Sequence, residues 1–335
     1  MSEILPARSP AAGPVAPSRV VTCAPDGNLR LTRLDVAAPG AGEVRVRIVA
    51  CGVCPAESAA WSARRASGLR FGHEPAAVIE HLGEGVAGRH VGDRVFVHHR
   101  VGCGTCRLCL TGREVHCPAW QVDALSPGAM ADHALVAAGA VEAGIVSLPS
   151  GVDDSVATLI EPLGCALRAW TRAAGDLADR RVVILGLGVW GILHVMIARR
   201  RGARQIIAVD PVPDRLRQAR TFGADEVINV ETEDVAARLR MLTEGEGADL
   251  SVVMPGSDAV MELAAESAAV GGTVVLFSPL PASRRWAIPV ADLFRREVNL
   301  VTSRSAGSAD IAQAIEMIAA GPAPEWRRLI THRFP

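Results

Sequence analysis

Two sets of residues in this chain are spaced for chemistry. The sharper set is Cys103, Cys106, Cys109 and Cys117, which stand as C-x2-C-x2-C-x7-C in a loop that opens Val101-Gly-Cys-Gly-Thr-Cys-Arg-Leu-Cys-Leu-Thr-Gly112. Four thiolates in one short lobe match the closed tetrahedral shell of a structural zinc, which holds a loop too small to have a core of its own. Disulfides are one alternative, and the lack of a secretion signal argues against them because thiols then stay reduced in the cytoplasm. An iron–sulfur cluster is another, but its three-residue gap before the last cysteine is not the gap found here. Upstream lie Cys51-Gly-Val-Cys54-Pro-Ala-Glu57 and Phe71-Gly-His73-Glu74-Pro75, and downstream lies Ile160-Glu161-Pro-Leu-Gly-Cys165. A cysteine, a histidine and carboxylates at strand ends can bind a metal if the fold brings them together. Taken singly, each reads equally well as a buried cysteine or a hydrogen-bonded histidine.

The second set is Val182-Val-Ile-Leu-Gly186-Leu-Gly188-Val-Trp-Gly191, an apolar run that breaks into G-x-G-x-x-G and passes into a helical pattern. Gly186 allows a tight turn, Gly188 lets backbone approach a pyrophosphate at the helix N-terminus, and Gly191 lets helix and strand pack closely. A second apolar strand, Gln205–Asp210, ends in an acid about 20 residues past the last glycine, where a ribose-binding carboxylate belongs. This is a dinucleotide site in outline.

The elements that must position these residues follow from patterning. From Val20 to Val49 apolar and polar residues alternate between turns, as in Glu43-Val-Arg-Val-Arg-Ile-Val49, which predicts half-exposed antiparallel strands. Further strands are expected around Ala76–Glu80 and Asp93–His98, a β segment over Met130–Leu148, and a linker around Pro149–Asp154. From Arg181 strands and helices alternate: Val182–Leu185, Ile192–Arg200, Gln205–Asp210, Pro213–Phe222, Val227–Val230, Asp249–Met254, Met261–Ala269 and Thr273–Phe277. Such alternation means a doubly wound parallel sheet covered by helices on both faces. Glu161 falls at the join between the two halves, and a cleft between domains is where ligands are usually held. His194, inside the first of these helices, reads as a packed or surface histidine and not as a ligand. A last helix is expected over Ile311–Ala320.

Composition bounds the function. A chain of 335 residues, 49% apolar, is long enough for two domains. Its net charge of -1 offers no basic field for nucleic acid, and no stretch of ~18 apolar residues spans a membrane. Residues 1–19, with Pro6, Pro10, Pro14 and Pro17, read as a flexible tail and not as a signal peptide. Lysine is absent, which excludes a lysine relay or Schiff base.

In this order, Gly-His-Glu, the four-cysteine lobe, Glu-Pro-Leu-Gly and Gly-x-Gly-x-x-Gly resemble the zinc-dependent medium-chain dehydrogenases, the superfamily of alcohol, sorbitol and threonine dehydrogenases. The likeness runs over residues 20–335. It implies an α/β protein with a GroES-like β catalytic domain over 20–160, completed by 300–335, and a Rossmann nucleotide-binding domain over 161–299. It implies two zinc ions per chain. Cys54, His73, Glu74 and Glu161 match the positions around the catalytic ion, and the cysteine lobe matches the structural one. The carboxylate Glu161, where alcohol dehydrogenases carry cysteine, looks like the polyol and threonine branch, and Cys165 has no ligand counterpart. Gly186, Gly188, Val189, Trp190, Gly191, Asp210 and Arg215 fall on the cofactor-binding positions. A carboxylate at Asp210 favours NAD over NADP, while Arg215 nearby could meet a phosphate.

The resemblance implies oxidation of a secondary alcohol of a polyol, sugar, cyclitol or amino alcohol, in a cytoplasmic homodimer or homotetramer. Two departures bear on it. Relatives often carry a hydroxyl residue and an aspartate after the zinc cysteine, where this chain has Ala56 and Glu57. Ala56 cannot relay a proton, whereas Glu57 can still orient His73. Glu74 or Glu161 then becomes the candidate relay. Relatives also continue past Thr331-His-Arg-Phe334 with a helix and strand, so the resemblance implies either a naturally trimmed protein or pieces replaced by a neighbouring subunit. The competing readings are a ketone reductase of the same family and a catalytically silent nucleotide-binding module. The substrate pocket is expected to be lined by Glu57–Trp61 and by the loops around Trp120 and Phe277–Pro279.

Overall fold

The structure, a computed structural model, describes residues 14–24, 28–58, 71–173, 178–278, 280 and 283–335. These form two units, one running to Pro162 and resuming over Gly307–Pro335, the other Leu163–Ala306.

The first unit is built on antiparallel strands. Strands β1 (Ala16–Cys23) and β2 (Leu29–Val36) pair from Ala16↔Val36 to Cys23↔Leu29. The stretch read as a tail to residue 19 therefore ends earlier. Arg19 pairs with Asp132 at 2.9 Å, and the Ser18 hydroxyl accepts from the N–H groups of Asp132 and His133, so Ala16–Arg19 are fixed by partners far along the chain. Residues 1–13 lie outside the described residues. A six-stranded sheet follows in the order β6-β7-β3-β4-β5-β8. Its members are β3 (Val44–Cys51), β4 (Pro75–Leu82), β5 (Arg94–Val97), β6 (Leu125–Ser126), β7 (His133–Val136) and β8 (Ile145–Ser147). Alternation in β3 and its neighbours turns Val44, Val46, Ala77, Ile79, Val95 and Val97 into one buried cluster.

The segment read as continuous β over Met130–Leu148 contains a helix, Ala138–Gly144. Its sequence, AGAVEAG, carries three alanines, and alanine's helix preference wins where no strand partner is offered. At the other end of the chain, helix Ser308–Ala320 begins three residues before the expected Ile311. The Glu114 carboxylate of the cysteine lobe accepts from the backbone N–H and the hydroxyl of Ser308, satisfying a donor in the helix's first turn. The final short helix, Ala323–Arg327, buries Trp326 completely and sends Arg327 to Asp153 at 3.3 Å.

The second unit is a parallel sheet in the order β11-β10-β9-β12-β13-β14. These strands are β9 (Arg181–Leu185), β10 (Gln205–Asp210), β11 (Glu226–Asn229), β12 (Ala248–Val253), β13 (Ala268–Leu276) and β14 (Asn299–Thr302). Val182, Val183 and Ile184 are fully buried at its centre, as expected of a strand covered on both faces. Strand order reverses beside β9, the position outside which ligands bind in such sheets. β14 pairs with β13 from Thr273↔Asn299 to Leu276↔Thr302. That pairing keeps residues 300–306 in this unit, so the chain leaves it later than the expected 299. Helix Asp258–Glu266 is capped by Ser257 and ends before Ala268, which joins β13 opposite Ala248. The expected helix over Met261–Ala269 is shortened because its last residues pair as strand.

His194 lies fully buried in helix Val189–Arg200. Its Nδ1 accepts from Trp170 Nε1 at 2.8 Å, and Phe277 meets its ring edge-on with centroids 4.8 Å apart. Burial holds the imidazole neutral, lowering its pKa from 6.5 to about 3. The unfolded chain therefore takes up a proton that the folded one does not. This contribution to stability is complete above the unfolded value and is lost as pH falls from about 6.5 toward 3, at about 1.4 kcal/mol per pH unit. Urea unfolding of the wild type and of His194→Gln at pH 7, 6 and 5 tests this. The wild type should lose stability more steeply, and identical slopes would refute the assignment.

Candidate functional site

Strand register assembles the first site. β3 and β4 pair as Ala50↔Ala76 and Cys51↔Pro75, so the turn leaving β3 and the turn entering β4 lie side by side. Gly52 N–H donates to the Glu74 carbonyl at 3.0 Å, and a Cβ at Gly52 would overlap the Glu74 carboxylate. Only glycine permits that approach. The Sγ of Cys54, a ring nitrogen of His73 and a carboxylate oxygen of Glu74 all lie within 4.8 Å of one another. Cys54 and Glu74 are buried, and His73 is half-buried.

Glu57, on the single turn Pro55–Ser58, orients the histidine. Its Oε1 lies 2.8 Å from His73 Nδ1 and accepts from Gly72 N–H at 3.0 Å. Nδ1 thus carries the proton toward Glu57, leaving Nε2 on the side of Glu74, whose Oε1 is 3.9 Å away. Glu161 opens helix Ile160–Ala173 and is buried. It stands close enough to act on the site by its charge, but it lies outside the set of three converging atoms. The segment leading to it is held by Asp153, which accepts from Ser155 N–H, and by Arg94, which reaches Asp154 and the Val152 carbonyl.

Burial and neighbouring charge shift Cys54, His73 and Glu74. Burial, and then the charge of Glu161, push Glu74 up to about 8. Burial likewise raises the Cys54 thiol. For His73 burial opposes the charged form, yet bonds to Cys54 and Glu57 and the charge of Glu161 hold it well above its ordinary range. The imidazolium is the cation that balances these acids. A divalent cation would replace its proton, and a thiolate, imidazole and carboxylate set is the borderline-soft donor set that zinc takes.

The four cysteines of the lobe also converge, each offering sulfur within 4.8 Å of the rest. Cys106 Sγ stands 3.6 Å from Cys109 Sγ and 3.7 Å from Cys117 Sγ. The N–H of Cys103 points to Cys117 Sγ, and that of Cys106 to Cys103 Sγ. Bonds from Thr105 and from the Cys106 N–H lower the Cys103 thiol to about 6. Backbone donors aimed at sulfur stabilise thiolates, the form a metal requires.

In the second unit Gly186 follows β9 at φ +92°, and a Cβ on Gly191 would overlap the Gly186 carbonyl. A Cβ on Gly188 would meet open space. Helix Val189–Arg200 starts directly from this turn, earlier than the expected Ile192. Asp210 ends β10, buried, with one oxygen accepting from Leu187 N–H at 2.7 Å and the other from Val212 N–H at 2.9 Å. Arg215 stands 3.6 Å from it. Trp190 packs against Phe277 with centroids 5.4 Å apart.

Of the loops expected to line the substrate pocket, the one around Trp120 has the tryptophan itself fully buried with Val115 and Cys117 in the core of the cysteine lobe. Phe277 is buried against His194 and Trp190. Trp61 and Pro279 lie outside the described residues. Residues not singled out from the sequence are His98 and His99, the second of which has its ring 4.9 Å from that of His73. The signal was available: two consecutive histidines stand between the two metal-ligand motifs.

Comparison with known proteins agrees with this geometry. Residues 40–149 match the family described as alcohol dehydrogenase GroES-like domain, and residues 190–320 match the family described as zinc-binding dehydrogenase. L-threonine 3-dehydrogenase of Pyrococcus furiosus is 31% identical over 264 residues, covering 77% of this chain and 74% of that protein. Among solved structures, a zinc-binding dehydrogenase from Sinorhizobium meliloti 1021 bound to NADP superposes with a TM-score of 0.81 at 24% identity, covering 91% of this chain and 89% of that one. An alcohol dehydrogenase from Escherichia coli complexed with NADH superposes at 0.79 and 23% identity, covering 90% and 88%. The chain is an oxidoreductase of the zinc-dependent medium-chain dehydrogenase superfamily.

Proposed function

We propose that this chain oxidises a secondary alcohol of a polyol, sugar, cyclitol or amino alcohol to the ketone with NAD. The observation that carries the reading is the convergence of Cys54, His73 and Glu74 within 4.8 Å, in a buried space with Glu57 and Glu161 beside it. Cys54, His73 and Glu74 would hold a catalytic zinc, and the four lobe cysteines a structural one. Zinc in the first position supplies a Lewis acid that lowers the pKa of an alcohol. NAD at the glycine turn supplies the hydride acceptor.

The chain's own residues do the rest. Glu57 fixes the tautomer of His73 through Nδ1. Ala56 has no hydroxyl to move a proton, so that role falls to a carboxylate. Glu161, buried and outside the set of three donors, is placed to take the alcohol's proton through water. Asp210 would accept from the adenosine ribose hydroxyls, and its charge repels a 2′-phosphate, which supports NAD.

Three measurements test the parts. Elemental analysis of the purified chain should find two zinc per chain, falling by one in Cys54→Ser. A single zinc confined to the lobe would sink the catalytic assignment and favour a silent nucleotide-binding module. Glu161→Gln should keep both ions while turnover on an amino-alcohol and polyol panel falls ~100-fold, with a displaced pH profile. An unchanged profile would remove Glu161 from the relay. Asp210→Ser should raise the kcat/KM ratio of NADP over NAD by roughly tenfold or more. A constant ratio would show that Asp210 does not select the cofactor.

A further inference from the structure

Between the two cysteine-bearing sites of the first unit runs a continuous row of ring contacts, one tilted, one stacked and one edge-on. His73, one of the three converging donors, faces His99 with centroids 4.9 Å apart. His99 stacks on His98 at 5.3 Å and an interplanar angle of 28°. His98 meets the edge of Trp120 at 5.1 Å and 75°. Trp120 is itself packed among Val115, Cys106, Cys109 and Cys117. His98, His99 and Trp120 are all buried. Their backbones are pinned as well: His98 N–H donates to Gly144 O at 2.8 Å, and Ala124 N–H donates to His99 O at 2.7 Å. A close-packed row of rings on a fixed backbone has little room to yield, so a displacement at one end is passed to the other.

We propose that His99 is a positioning residue for His73, and that the stack His73–His99–His98–Trp120 couples filling of the cysteine lobe to metal affinity at the Cys54, His73 and Glu74 site. The inference rests on the reading that both sites hold metal. Glu57 holds His73 through Nδ1, and the ring also bonds to Cys54, both through atoms at its edge. His99 adds a ring contact, its plane tilted 54° to that of His73, and together these contacts fix where Nε2 points. An empty lobe lets its four sulfurs separate, which loosens the floor under Trp120 and then the rings above it. Reciprocity follows: metal in either site raises affinity at the other by the same factor.

The test uses the full chain stripped of metal and titrated with Co2+, whose absorption distinguishes a four-thiolate site from a one-thiolate site. Affinity at the Cys54 site is measured by competition with a chelator in the wild type, His99→Ala, Cys106→Ser and the double variant. Cys106→Ser should weaken the Cys54 site roughly 10-fold in the wild-type background, within the usual range of coupling between sites, and less than about twofold in His99→Ala. Should Cys106→Ser fail to fold, the intact lobe still gives an answer. His99→Ala should lower Co2+ affinity at the Cys54 site roughly 10-fold, and His99→Phe, which keeps a ring in the stack, should restore it to within about threefold. Equal effects of Cys106→Ser in both backgrounds, or His99→Ala and His99→Phe behaving alike, would overturn the coupling. Binding of a single Co2+ in every variant would instead overturn the two-metal reading, and the coupling with it.

Discussion

The first unit is organised around a problem of charge. Glu57, Glu74 and Glu161 are all buried, and they share their surroundings with the Cys54 thiol. Acids withdrawn from water repel one another more strongly than in solvent, and each loses its hydration. Such a cluster is relieved either by a cation among the acids or by protonation of one of them. Without metal, the His73 imidazolium fills that role and Glu74 tends toward its neutral form. The same groups that make the empty site uncomfortable make it a good host for a divalent ion. What looks like poor electrostatic design in the isolated chain is a store of binding energy.

Positions in the sequence explain why this site was partly legible beforehand. Cys54, His73 and Glu74 sit at strand ends that no spacing rule links, and only the β3 to β4 register brings them side by side. Motif resemblance supplied what periodicity could not. The lobe needed no such help, because its ligands are local in sequence and its chemistry fixes the geometry. Glu57 was legible for a related reason: it lies three residues beyond Cys54, and the single turn Pro55–Ser58 swings it back toward the Gly72-His73 backbone. His99 escaped because its contact with His73 is a matter of ring planes, which leave no trace in spacing.

In the second unit the apolar runs and glycines gave strand positions well, since a strand buried on both faces has few alternatives. The misses fall at ends. Ala268 could continue a helix or begin a strand, and its pairing with Ala248 decided the matter. In the first unit Ala138–Gly144, inside a segment read as strand, became helix for the converse reason, its alanines finding no strand to join. Asp210 has a different character from the acids around His73. Its two oxygens already accept from Leu187 and Val212, so the loop and the carboxylate hold each other in place, as the proposed ribose contact would require. A group that is already oriented loses little entropy on binding.

The bond from Glu114 to Ser308 joins residues 194 positions apart, and the whole second unit is threaded through that span. During synthesis the sheet of the first unit emerges long before the helix it must receive. Closing a floppy loop of that length costs entropy that grows as the logarithm of its size, by ~0.6 kcal/mol for each doubling. A second unit that folds first shortens the loop to the distance between its own ends. Folding of the second unit before the Glu114 to Ser308 contact forms would therefore lower the entropy cost of that closure.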